Sequence, residues 1–333
     1  MKKLKAGIIG LGVGEQHIDG YRRHPGCEIT ALCDFDDGKL ASAMVKYPAM
    51  KIVKEADQIL EDPEIDIVSI ASYDNCHYEQ IARAIKNKKH VFTEKPLCLY
   101  EKEAVHIRKL LDKNPSLHLS SNLILRMSPR FRLLKQMIDK GEIGEIYCVE
   151  GDYNYGRITK ITEGWRGKID FYSVVYGGGV HIVDLLLWLT GRDITEVAAY
   201  GNNIVTKNSD FKYNDMAISI VKFNNGIVGK ISANFGCVSP HFHGLLVYGT
   251  KATFINGNDS GILYTSRDKD GVRFINAAYP WVQKGDLIYS FVDSIIKGIK
   301  AEVSKDDVFK AMSVCFSIQK AMDEKHPVKV NYI

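Results

Sequence analysis

Short apolar runs alternate with helical patterns through the first third of the chain. The runs Lys5–Ile9, Glu28–Cys33, Ile67–Ala71, Lys89–Phe92 and Leu117–Ser120 predict strands, with a brief extended piece at Met50–Val53. Between them, helices are predicted over Glu15–His24, Gly38–Tyr47, His77–Asn87 and Glu101–Asp112, and a shorter one over Lys54–Leu60. Alternation of this kind reads as βαβ units in a parallel sheet with right-handed crossovers.

The pattern changes after about Asn122. A helix over Arg130–Lys140 ends at Gly141. Strands with period-two alternation then follow: Glu145–Tyr153, Thr195–Val205, Asp215–Phe223, Ile227–Asn234, Gly244–Tyr248, Ala252–Asn256 and Gly261–Thr265. Asn224-Asn225-Gly226 is a hairpin signal, and Gly249-Thr250-Lys251 a second turn. Helices over Asp286–Lys297 and Asp306–Met322 close the chain. The expected architecture is an α/β Rossmann domain over residues 1–122, then an α+β domain over 123–333 with a largely antiparallel open sheet. A length of 333 residues suits two domains better than one core.

Composition narrows the function classes. The chain is 45% hydrophobic and 25% charged, as in a soluble globular protein. Its 44 Lys and Arg against 40 Asp and Glu leave a charge of only +4, with the signs interspersed, so no nucleic-acid partner is expected. Seven scattered cysteines form no C-x-x-C pair, which suggests neither a zinc site nor a disulfide framework and fits a cytoplasmic location. Lys2, Lys3 and Lys5 precede an apolar stretch, but it is short, interrupted by glycine and lacks a cleavage site. No run approaches the roughly 18–20 apolar residues of a membrane span.

The chemistry concentrates at predicted strand ends. Gly10-Leu11-Gly12-Val13-Gly14 follows the first strand and opens a helix. Gly10 permits a tight turn, Gly12 lets backbone approach a pyrophosphate, and the helix amino end supplies free N–H groups. The usual third glycine, five residues after the first, is absent: Glu15 stands there and Gly14 precedes it. Asp34 ends the second strand, 24 residues after Gly10, where a carboxylate can accept from ribose hydroxyls or simply cap the next helix. Asp36 and Asp37 would repel a 2′-phosphate, so NAD is expected over NADP.

Glu94-Lys95-Pro96 puts one ammonium at the carboxyl end of another strand, where doubly wound sheets hold their ligands. Proline restricts the backbone and admits a cis peptide, and burial beside a cofactor would draw the lysine pKa down from about 10.4. His181 and Asp184, three apart after Gly177-Gly178-Gly179, share one face near a helix amino end. A lone histidine is as often structural as functional. His77 lies on the sheet's ligand side, to touch nicotinamide or cap its helix. His241-Phe242-His243 looks like a metal pair, but strand alternation explains it better and no metal is expected.

Together these residues resemble the Gfo/Idh/MocA oxidoreductases, named for glucose–fructose oxidoreductase and inositol dehydrogenase. The marks are the Gly10–His17 turn, Asp34, the Ser72–His77 loop, Glu94-Lys95-Pro96, Arg126–Pro129, Gly164-Trp165-Arg166, and His181 with Asp184. The resemblance implies a dinucleotide held by Gly10, Leu11, Gly12, Val13, Gly14, Asp34, Ser72, Tyr73, His77, Glu94 and Lys95. It implies a sugar, inositol, sugar acid or nucleotide-sugar as substrate, and a homodimer or homotetramer built on the open sheet. Lys95 and His181 would flank the reacting carbinol, together beside the nicotinamide. Asp184, Arg126, Tyr155, Arg157, Trp165, Arg166 and Tyr176 would line the substrate site. One departure stands out: many members carry an aspartate four residues before the histidine, and Gly177 is there instead. Tyr176 is the neighbouring hydroxyl.

The expected reaction is reversible hydride transfer between nicotinamide and a secondary carbinol. Lys95 would stabilise charge on the reacting oxygen while His181 takes its proton or orients the substrate. Two rivals are an NAD-dependent glycosidase and a regulatory protein that binds dinucleotide without chemistry.

Overall fold

The computed structural model describes residues 3–268 and 270–333. The chain forms two compact units. The first gathers Met1–Ile124, Gln283–Phe309 and Ile333; the second gathers Leu125–Val282 and Lys310–Tyr332. The sequence alone divides the chain once, near residue 122. In the structure Gln283–Phe309 returns to the first unit, and Arg23 pairs with Asp286 (3.0 Å) and His24 with Asp293 (3.0 Å).

The first unit holds a six-stranded sheet of β1 (Leu4–Ile9), β2 (Cys27–Cys33), β3 (Lys51–Val53), β4 (Ile67–Ile70), β5 (His90–Thr93) and β6 (Leu119–Ser121), in the order β3-β2-β1-β4-β5-β6. Every pairing is parallel. Residues Ile67–Ile70 are all buried, the continuous apolar signature of a strand covered on both faces. The order reverses between β1 and β4, the switch point where such sheets bind ligands. The expected Glu15–His24 helix is split: a single 3₁₀ turn, Gly14–Gln16, leads into a short α-helix, His17–Arg22.

His90 opens β5, and its Nδ1 accepts from the His118 amide (3.1 Å). Burial, with the neighbouring His118, pushes its imidazole down to about 4. The unfolded chain therefore takes a proton near pH 6.5 that the folded chain refuses until about pH 4. Stability falls as pH falls through that window, by roughly 2–3 kcal/mol at its lower end. Denaturant melts at pH 7 and pH 4.5 check this: His90→Asn, which keeps an acceptor for the amide, should lose markedly less stability on acidification than the parent.

The second unit holds β7 (Ile146–Asn154), β8 (Ile194–Asn202), β9 (Met216–Phe223), β10 (Val228–Asn234), β11 (Phe242–Gly249), β12 (Thr253–Asn256), β13 (Gly261–Tyr264), β14 (Val272–Ile275) and β15 (Val328–Lys329). They form one sheet in the order β14-β13-β12-β11-β7-β10-β9-β8-β15. All its pairings are antiparallel except that of β7 with β10. The expected turn at Asn224–Gly226 joins β9 to β10, with Gly226 at φ +90°. The strand expected over Thr195–Val205 stops at Asn202, whose side-chain oxygen accepts from the Ile204 amide (3.2 Å) and starts a turn. No helix among the described residues is long and apolar enough to cross a membrane.

The helix Val180–Thr190 packs on β7, and Gly151 makes this possible. A Cβ there would lie 2.2 Å from Ile182 Cγ2.

Candidate active site

In the first unit the expected cofactor residues all stand at the carboxyl edge of one sheet. Gly10 has φ +91°, and a Cβ on it would meet the Ala71 carbonyl oxygen at 2.3 Å, so only glycine serves. Beside Gly12 the same construction meets only Lys39 Nζ, at 3.8 Å, which leaves room for a ligand against the backbone. Gly14 lies 3.0 Å from both the Ala71 methyl and Ile8 Cγ2 by the same measure. It therefore does the close packing expected of the missing third glycine, one position early. Glu15 is turned to the end of the helix Asp37–Lys46, accepting from Lys46 (2.9 Å) and Tyr47 (3.1 Å).

Asp34 organises this corner rather than merely capping a helix. Its Oδ2 accepts from the Leu11 amide (2.7 Å) and Lys39 Nζ (3.2 Å), and its Oδ1 from the Asp36 amide (3.0 Å). The helix cap belongs to Asp36, which accepts from the Lys39 amide (3.0 Å). Phe35, 60% exposed, meets Tyr73 edge-on at 5.5 Å and adds an apolar lip that the sequence reading missed.

The Lys95–Pro96 peptide is cis. Glu94 beside it is buried, accepting from Asn122 (2.6 Å) and from His17 Nε2 (3.3 Å), while His17 Nδ1 lies 2.9 Å from the Ser69 hydroxyl. Burial alone would push the Glu94 carboxyl up. The charges of Lys284 and Lys95 and the bond from His17 outweigh it and hold the group well below the usual range. A carboxylate so fixed braces the half-buried Lys95 next to it. Asn122 and Lys284 carry no motif, which is why the sequence reading missed them.

His77 is held by two backbone carbonyls. It is fully buried, with Nδ1 2.7 Å from the Pro96 carbonyl and Nε2 3.2 Å from the Ser72 carbonyl. The ring ties the loop after β4 to the loop after β5. Ser72 donates to Gln80 Oε1 (2.7 Å).

In the second unit His181 and Asp184 are both buried on the first turns of Val180–Thr190. Asp184 accepts a fork from Arg126: Nε at 2.9 and 3.2 Å, Nη2 at 2.5 Å. This pair is itself buried, so Arg126 serves the Asp184 carboxylate before any substrate. Burial, with the Asp184 charge added, pushes the Cys315 thiol up.

The His181 imidazole stacks on Tyr153, with ring centres 6.0 Å apart and planes at 23°. Tyr153 in turn stacks on Tyr155 (5.7 Å) and meets His241 and His243 edge-on. Counting back by two along β7 from Tyr155 would have found Tyr153. His243 Nδ1 lies 2.7 Å from the Tyr279 hydroxyl, and no group of three or more metal-ligating side chains occurs among the described residues. The Arg157 guanidinium lies over Tyr155 (5.3 Å) and that of Arg166 over Trp165 (4.4 Å). Tyr176 is buried against Phe171 and Phe316. The hydroxyl that lies over Gly177 is Tyr172's.

Residues 4–121 match the family profile for oxidoreductases with an NAD-binding Rossmann fold, and residues 131–255 match the GFO/IDH/MocA C-terminal domain. The chain belongs to the GFO/IDH/MocA oxidoreductases. Within that family it is similar to the myo-inositol 2-dehydrogenase of Thermotoga maritima, 25% identical over 99% of both chains. The scyllo-inositol 2-dehydrogenase (NAD(+)) of Bacillus subtilis is 26% identical over 77% of this chain and 74% of its own. Two solved structures share the fold. Scyllo-inositol dehydrogenase from Lactobacillus casei, with NAD(H) and scyllo-inositol, superposes with a TM-score of 0.81 at 19% identity over 99% of each chain. Levoglucosan dehydrogenase, with NADH and levoglucosan, superposes at 0.85 and 20% identity over 99% of this chain and all of its own.

Proposed function

We propose that this chain is an NAD-dependent dehydrogenase that reversibly oxidises a secondary carbinol of an inositol or related sugar. One observation carries the reading: the glycine cradle after β1, Asp34 after β2 and Lys95 after β5 share the carboxyl edge of one parallel sheet. The inositol and levoglucosan dehydrogenases among its relatives support the substrate class.

The residues fit the cofactor: the turn is open at Gly12, and the Leu11 amide and Asp34 are held in place. Bound NAD supplies a hydride acceptor at its nicotinamide. Gly10–Gly14 and the following turn hold the pyrophosphate with backbone N–H groups, and Asp34 accepts from the adenosine ribose. Lys95 donates to the reacting oxygen and stabilises the negative charge that develops there. His181 takes the hydroxyl proton. Tyr155, Arg157, Trp165 and Arg166 offer ring faces and hydrogen bonds to a polyhydroxylated ring, while Tyr176, buried against Phe171 and Phe316, and the buried Arg126–Asp184 pair serve as support.

The open face of the nine-stranded sheet carries Tyr200, Ile218, Ile220, Val228 and Phe274, between 39% and 74% exposed. A second copy of the chain covers this face in a homodimer or larger homo-oligomer, since a self-complementary apolar patch suits twofold pairing. The seven free thiols suit the cytoplasm.

The test is a panel of myo-inositol, scyllo-inositol, levoglucosan and glucose, each with NAD and with NADP, read by the absorbance of reduced nicotinamide. Net reduction of NAD, at least tenfold faster than of NADP, is expected with a cyclic polyol. Cleavage of a glycoside without net reduction would point to the glycosidase, and NAD binding without any turnover to the regulator.

A further inference from the structure

The chain returns to the first unit at Gln283, and its first four residues there are fastened at several points. Gln283–Asp286 closes a turn on itself: Asp286 Oδ2 accepts from the Gln283 amide (2.7 Å), and the Asp286 amide donates to the Gln283 carbonyl (3.0 Å). Two glycines press this turn onto the helix His17–Arg22. A Cβ on Gly20 would lie 2.5 Å from the Gly285 carbonyl oxygen, and one on Gly285 2.8 Å from the Gly20 Cα. Asp286 Oδ1 also accepts from the Arg23 guanidinium (3.0 Å). The same helix supplies His17 to Glu94 (3.3 Å). Asn122 Nδ2 then joins turn and carboxylate, donating to Glu94 Oε1 (2.6 Å) and to the Lys284 carbonyl (3.0 Å). Backbone contacts thus carry Lys284 to a buried carboxylate.

The charged or titratable groups that face this carboxylate are Lys284, His17 and Lys95. Burial pushes the Glu94 carboxyl up. Of the charges that oppose burial, that of Lys284 counts for most, ahead of Lys95, the neighbour in sequence. A buried carboxylate one residue from a catalytic lysine is a competitor as well as a brace, because an ammonium that pairs with it is lost to the substrate. We propose that Lys284 is a positioning residue for Lys95: it gives the Glu94 carboxylate a second ammonium and leaves Lys95 to the reacting oxygen. The two lysines outnumber the one carboxylate, so positive charge remains where negative charge develops on the carbinol oxygen. No proton moves to or from Lys284. It acts on Glu94, and on Lys95 only through Glu94.

This inference rests on Lys95 acting at the reacting oxygen, so the experiment separates the two. Lys284→Met keeps the stem and removes the charge. We expect kcat on the best polyol of the panel to fall roughly tenfold, with KM for NAD and for polyol nearly unchanged. Lys284→Arg, which restores a cation, should keep most of the rate. Glu94→Gln removes the competing carboxylate, so adding Lys284→Met to it should cost no further rate. The same pattern is expected without turnover, in denaturant melts: Lys284→Met lowers the midpoint of the parent and leaves that of Glu94→Gln unmoved. Unchanged kcat in Lys284→Met, no recovery in Lys284→Arg, or equal losses in the two backgrounds would overturn the proposal. A wild type without polyol turnover removes the parent reading, while the melts still decide whether Lys284 serves Glu94.

Discussion

Replacing Lys95 with alanine lowers turnover by about 10³-fold or more and leaves NAD binding within twofold of the parent. The expectation follows from where the residue stands. β5 is buried, and the chain leaves it through Glu94, a carboxylate pinned by Asn122 and His17. That anchor holds the start of the Lys95 side chain still, so removing the ammonium deletes a charge without loosening the loop. The dinucleotide contacts proposed at Gly10–Gly14 and Asp34 follow other strands of the sheet. Stopped-flow turnover together with a fluorescence titration of NADH separates the two effects. A variant that keeps its rate, or one that loses its cofactor as well, contradicts the assignment.

Arg126→Ala should unfold the second unit or cost it about 3–5 kcal/mol, the range for removing one partner of a buried ion pair. Both members of this pair are almost inaccessible, at 4% and 1% exposed, and the guanidinium engages both carboxylate oxygens. Without it Asp184 is a buried charge on the helix that carries His181. A denaturant melt followed by intrinsic fluorescence checks the loss of stability. A variant with the parent's midpoint but a raised KM for polyol would instead return Arg126 to direct substrate binding. Arg126→Lys should recover only part of the stability, because an ammonium cannot make the two parallel bonds of the fork.

Much of the first unit was legible because parallel strands advertise themselves. Ile67–Ile70 and Val91–Thr93 are uninterrupted buried runs, and each is followed by a residue with chemistry. The glycine turn and Asp34 were readable for the same reason: φ +91° at Gly10 and a carboxylate at the next strand end leave marks in residue type. Contacts that depend on distant packing left no such mark. Lys284 reaches Glu94 from a segment 190 residues later, and Asn122 looks like any loop asparagine. The parallel pairing of β7 with β10 was hidden because period-two alternation is the same for either strand direction. His77 illustrates a subtler failure. Its place at the carboxyl edge of the sheet was readable, but its two carbonyl partners, which make it a strut between loops, were not. Gly177 was recognised as a departure, yet the ring that occupies its place lies five residues earlier and could be found only in three dimensions.

The claim on which the rest depends is that Lys95 and His181 both act in the proposed hydride-transfer step. A double-variant cycle of Lys95→Ala and His181→Ala, measured as single-turnover reduction of NAD by the best polyol of the panel, tests it most directly. Groups that act as one apparatus are strongly non-additive. The account predicts that the double variant is about as slow as the slower single one. Losses that multiply, or a His181→Ala protein with the parent's rate, would contradict it.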